Sequence, residues 1–167
     1  MATSVVELIA LEIVRRLEQI TTDNGYTFSV CDVVRPDRLG KEFSPEDKMV
    51  IVKQGDSMRN NELSFAGNPP AIAYDVSFEI ECFVRSSDFD PDEYHADQNE
   101  RGSQIIKALK DEATDTGAWH NFEGNAVLAD IGDVKQFNTS ESDHNGVTVM
   151  LNIIYRTSEN DPYTVRA

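Results

Sequence analysis

The segment Ala71 to Arg85 alternates between apolar and polar residues for nearly its whole length. Successive side chains of a strand point to opposite faces, so Ile72, Tyr74, Val76, Phe78, Ile80, Cys82 and Val84 share one face. Ala73, Asp75, Ser77, Glu79 and Glu81 share the other, and Phe83 alone interrupts its small or polar character. Such a strand needs a layer over its apolar face, while Glu79 and Glu81 place the reverse face in water. A marked helix start, Asp90-Pro91-Asp92-Glu93, follows it. The pair defines architecture and names no reaction.

The 167 residues fit one domain, and an apolar share of 40% is enough to build a core. No run reaches the ~20 apolar residues that cross a bilayer. The N-terminal run Val5 to Leu11 is broken by Glu7 and has neither a basic leader nor a cleavage site, which argues against a secretory signal. Cys31 and Cys82 stand alone in separate strand-like runs and read as small buried apolar residues, which suits a reducing cytoplasm. The net charge of −15 opposes binding to nucleic-acid phosphates, and the lysines and arginines are scattered. This acidity fits either a solvated surface or one along which DNA passes without sticking.

Ser4 and Glu7 form a capping-box pair ahead of an apolar stripe of Val6, Ile9, Ala10, Ile13, Leu17 and Ile20. Glu12, Arg15, Arg16 and Gln19 occupy the other side, and Gly25 suits a left-handed stop. A strand is expected over Tyr26 to Val34 and a short one over Met49 to Val52. The turn formers of Lys53 to Pro70 mark a long loop whose Leu63 and Phe65 are candidate interface residues. Asp90 and Glu93 are the expected cap of the second helix. That helix grips through Ile105, Ile106, Leu109 and Ala113, whereas Asp97 to Ser103 is polar and implies an exposed first half or an irregularity. Trp119 and Phe122 follow in a loop. A hairpin of Ala126 to Phe137, with a break at Gly132, and Val147 to Tyr155 completes the pattern. The expected organisation is one domain over 1–156, with its loop at 53–70, and a polar tail over 157–167.

Reactive constellations are missing from the sequence pattern. His95, His120 and His144 fall in three different settings without metal-ligand spacing. Asp88-x-Asp90-x-Asp92 opens like a calcium loop, but its sixth position is Glu93 and its twelfth Asn99, so capping explains it better. Asp75, Glu79 and Glu81 share a face, yet no lysine lies two residues beyond either glutamate, as a metal-dependent nuclease would want. No phosphate-cradling glycine motif or nucleophile elbow occurs. The expectation is a protein that is not an enzyme and carries no catalytic residue, metal or cofactor.

The order helix, strand, strand, long loop, long strand, helix, hairpin resembles the tail terminator (minor tail, tail completion) proteins of long-tailed bacteriophages. The resemblance rests on the opening helix ending in Asp23-Asn24-Gly25-Tyr26, the extended Tyr26 to Val34 with Arg35-Pro36, and Met49-Val50-Ile51-Val52. It continues through Ala71 to Val84, Ile105-Ile106-Lys107-Ala108-Leu109 and Val147 to Tyr155, covering nearly the whole chain. It implies an α+β fold, a central mixed or largely antiparallel sheet with two main helices on one side. It further implies a structural virion protein of the tail, assembled in the host cytoplasm, that forms a hexameric ring. Such a ring caps the head-proximal end of the tail tube, stops polymerisation and joins tail to head. Its implied partners are copies of itself, the tail tube protein and a head–tail connector protein, with no specific nucleic-acid binding and no membrane. The alternatives are another connector of neck or stopper type, or a cellular acidic α+β enzyme or ligand-binding domain.

Overall fold

The computed structural model describes residues 2–36, 46–67, 70–85, 91–110, 121–138 and 144–165. Its axis is β4, Ala71–Arg85, which pairs antiparallel with β6, His144–Ser158, from Ala71 opposite Ser158 to Arg85 opposite His144. Along the other side of β4 lie β2, Met49–Gln54, and β3, Met58–Phe65, both antiparallel to it. Short β1, Asp32–Val34, adds parallel to β2 at that margin. At the opposite margin β5, Leu128–Asn138, and β7, Asp161–Val165, both run antiparallel to β6. The result is a mixed seven-stranded sheet of order β1-β2-β4-β6-β5, with β3 on β4 and β7 on β6. Helices α1, Val5–Glu18, and α2, Pro91–Lys110, cover one face, so the class is α+β as expected.

The core lies between helices and sheet. Ile9, Ile13 and Leu17 of α1 and Ile105 and Leu109 of α2 meet Val76, Phe78 and Ile80 of β4 and Val149, Leu151 and Ile153 of β6. Tyr74 is half-buried and stacks on Tyr155 with ring centroids 5.4 Å apart. The Ser4 hydroxyl caps α1 by accepting from the Glu7 amide. Glu7 does not close the capping box: its carboxylate takes two bonds from Arg35, at 2.6 and 2.9 Å. Those bonds hold the Glu7 carboxyl below its ordinary range.

The structure corrects several sequence expectations. Within the expected loop at 53–70, β2 runs on to Gln54 and β3 spans Met58–Phe65. The backbone of β4 has donors and acceptors along both edges, and β2 covers only Phe78 to Cys82. After an interruption at Gly55 to Ser57, the same chain resumes as β3 and covers Ala71 to Asp75. The Gly55 amide donates to the Ser77 carbonyl at 2.8 Å, which carries the alignment across the gap. A Cβ at residue 55 would stand 3.1 Å from that carbonyl oxygen, so glycine suits this close approach. The expected polar tail likewise contains β7, because β6 runs on to Ser158 and leaves an edge for a returning strand. Asp161 stabilises this return by accepting from the Tyr163 amide and the Thr164 hydroxyl. The strand expected over Tyr26 to Val34 shrinks to Asp32–Val34, since Tyr26 and Phe28 bury their rings in the core instead of pairing.

The polar side of each helix is also not what periodicity implies. Glu12 and Arg16 are buried. Arg16 donates to Glu12 at 2.8 Å and to the Leu109 carbonyl at 2.6 Å, and its guanidinium lies 4.2 Å from the centre of the Phe122 ring. It thus fastens α1 to the end of α2 and to the turn carrying Phe122. Burial pushes the Glu12 carboxyl up, but bonds from Arg15 and Arg16 outweigh it and leave a net depression. In α2 the polar stretch Asp97 to Ser103 neither breaks nor lies wholly in solvent. Gln98 donates to the Gly146 carbonyl at 2.8 Å. Arg101, 2% exposed, donates to the Phe83 carbonyl at 2.6 Å and to Asp47 at 3.0 Å, with Asp97 2.7 Å from its Nε. These side chains fasten the ends of three elements that an aliphatic stripe could not hold by hydrogen bonds. Gly102 lets the helix come close: a Cβ there would stand 3.2 Å from a Val147 methyl.

Candidate interaction surface

The candidate interface residues Leu63 and Phe65 stand at the end of β3, where it approaches the start of β4. They are 37% and 45% exposed, and Met58 on the same strand is 70% exposed. Between Asn60 and Phe65 the pairing slips, and side chains take over the backbone groups so released. Asn60 Oδ1 accepts from the amides of Glu62 and Leu63, both at 3.1 Å. The Ser64 hydroxyl donates to the Asn60 carbonyl at 2.6 Å and accepts from the Ala73 amide at 3.0 Å. Arg156 donates to the Leu63 carbonyl at 3.1 Å, and its guanidinium lies 5.4 Å from the centre of the Phe65 ring. The apolar tip is therefore held in place by a braced bulge. Asn60, Ser64 and Arg156 escape sequence reasoning because their roles depend on a register across strands distant in sequence.

The face of the sheet turned away from the helices carries the carboxylates of β4. Residues opposite one another in a ladder share a face, so Asp75 sits with Met58 and Ile154, Ser77 with Asn152, and Glu79 with Lys53 and Met150. The lysine missing from the sequence spacing of a metal-dependent site arrives from β2: Lys53 Nζ lies 2.6 Å from Glu81 and 3.6 Å from Glu79. Burial pushes the Glu81 carboxyl up against the pull of Lys53, with Glu79 adding to the rise. Beside this group, Asp75, Ser77, Leu128, Asp130, Asn152 and Ile154 line an open concavity of about 350 Å³. Asn60 Nδ2 donates to both oxygens of Asp75, and Ser77 donates to Asn152 at 2.8 Å. The slip in β5 between Ile131 and Val134 falls at the expected break, Gly132, where a Cβ would stand 2.8 Å from Asn152 Nδ2.

The remaining sequence candidates lie apart. Asp90 falls outside the described residues, as do Asp88, Trp119 and His120. Glu93 is exposed in the first turn of α2. His95 Nδ1 lies 3.1 Å from Gln136 Oε1. Cys82 is buried as expected, and burial pushes its thiol up to about 12. Cys31 is not buried: it precedes β1 at the margin of the sheet, where no further strand covers it among the described residues, and its thiol contacts the Asp47 carbonyl. Among the described residues no three metal-ligating side chains converge, and no helix is long and apolar enough to cross a membrane. Neither a protein-family model nor a curated protein sequence matches the chain.

Proposed function

We propose that this chain is a structural protein of a phage tail, a terminator that closes into a ring on the head-proximal end of the tail tube. In this reading it stops polymerisation and presents a surface to the head–tail connector. The observation that carries the proposal is the exposed apolar tip at Leu63 and Phe65, borne on a braced strand and therefore presented in a defined place. A rigid presentation lowers the ordering cost of a contact. A ring also needs a head-to-tail contact between two unlike surfaces of one chain. The sheet offers unlike margins, β1 and β3 on one side and β5 and β7 on the other.

The test is the double substitution Leu63→Asp with Phe65→Asp. Both side chains are partly exposed, so the isolated chain keeps its fold by circular dichroism, while ring formation or tube capping is lost. Sedimentation reads the first and tail length in assembled particles the second. Wild-type assembly together with normal tails excludes this tip as the contact. Turnover of a substrate, abolished by changing a carboxylate of the open face, overturns the structural reading itself.

A further inference from the structure

We propose that the concavity on the open face of the sheet is a docking site for a basic side chain, lysine or arginine, on a protein partner. Its floor and walls are apolar where Leu128 and Ile154 meet, and Leu128 is 50% exposed. Asp75 and Asp130 line the same space. The Asp130 carboxylate has no hydrogen bond or ion pair among the described residues, and Asp75 is held only by the neutral amide of Asn60. This contrasts with Glu79 and Glu81 on the same face, which share Lys53. Two uncompensated carboxylates over an apolar wall match the chemistry of a lysine or arginine, whose aliphatic stem packs while its head stays charged. The volume lies at the small end of ligand sites, which run roughly from 300 to 1,000 Å³.

Charge selects the occupant. A second copy of the chain would bring its own net charge of −15 against these carboxylates. A nucleic acid or an anionic membrane surface is repelled in the same way. A basic protein surface is attracted, with an ionic-strength dependence set by screening. The site is complete within one chain, so the proposal holds whether or not the chain forms a ring.

The probe is a fluorescein-labelled peptide of alternating lysine and leucine, followed by anisotropy, with amide shifts of the isotope-labelled full chain locating the contact. Shifts are expected to cluster at Ser77, Leu128, Asp130 and Ile154, and affinity to fall as salt rises. Asp75→Asn with Asp130→Asn weakens binding about tenfold, what two partly exposed ion pairs contribute together. Glu18→Gln with Asp23→Asn removes the same charge from exposed positions in and just after α1 and changes affinity less than about twofold. Leu128→Asn, exposed and therefore compatible with folding, weakens binding with all carboxylates intact. Equal losses in the two double variants, shifts spread over the whole surface, or no binding of the peptide overturns the proposal. Equal binding of an alternating glutamate and leucine peptide also overturns it, since the contact would then be apolar only.

Discussion

The two faces of one sheet are built from the same strands and obey different rules. Under the helices, β4 contributes Val76, Phe78, Ile80 and Cys82 to a continuous apolar core. One residue away along the same backbone, Asp75, Ser77, Glu79 and Glu81 are neighbours of Met58, Met150, Ile154 and Lys53 on a face no described element covers. The difference shows that alternation assigns each side chain a face, while the layer on that face decides whether the residue is held by packing or by polar contacts. The covered face has a second zone where α2 does not grip through aliphatic contacts. There Gln98 and Arg101 bind strand carbonyls, so helix and sheet are joined by packing at one end and by hydrogen bonds at the other.

The largest effect expected on the covered face is from Phe78→Ala. Emptying a fully buried aromatic site costs about 3–5 kcal/mol. Denaturant unfolding reads it, and a loss below about 1 kcal/mol would erase the distinction between the faces. Arg101→Ala comes next, at about 2–4 kcal/mol, because it removes a buried cation that bonds the Phe83 carbonyl and faces both Asp47 and Asp97, leaving the Phe83 carbonyl only its bond from the Lys48 amide. Hydrogen exchange sharpens this: the amides of the adjoining Phe83 and Gly146 region lose protection before those around Phe78.

The third prediction concerns alkaline pH. The folded Cys82 thiol titrates near 12 against an ordinary 9.0, so the folded state keeps a proton that the unfolded chain releases. Its contribution to stability is complete below 9.0 and is lost as the pH rises towards 12. Stability therefore falls over that window, and Cys82→Ala flattens the decline. On the open face Glu79→Gln is the smallest, within about 0.5 kcal/mol, as an exposed ion pair contributes little. A loss as large as that of Arg101→Ala would show that the open face is held as tightly as the covered one.

The core was legible where one element alone carries the signal. The α1 stripe and the alternation of β4 each specify their buried side without reference to a partner, and Gly132 marks the slip in β5. What stayed hidden depends on partners. Residues 58–65 are rich in turn formers and become a strand because β4 has an open edge beside them. Glu12, Arg16, Gln98 and Arg101 look solvated by composition, but Arg16, Gln98 and Arg101 each find a carbonyl acceptor far along the chain, and Glu12 is buried against Arg16. The candidate surface divides similarly. Leu63 and Phe65 stand out as apolar residues in a polar stretch, whereas Asp130 joins Asp75 only through two ladders.

The pairing of β4 with β6 also governs how the molecule is made. Every rung, from Ala71 opposite Ser158 to Arg85 opposite His144, joins positions separated by all of α2 and β5. Such contacts must close a long stretch of chain before any of them adds stability, which slows folding relative to local hairpins and helices. During synthesis α1 emerges before β6, which carries Leu151 and Ile153 of the same core. Until they arrive, the stripe of Ile9, Ile13 and Leu17 lacks part of its cover, so the nascent chain passes through an interval of exposed apolar surface in which a folding chaperone would find its substrate.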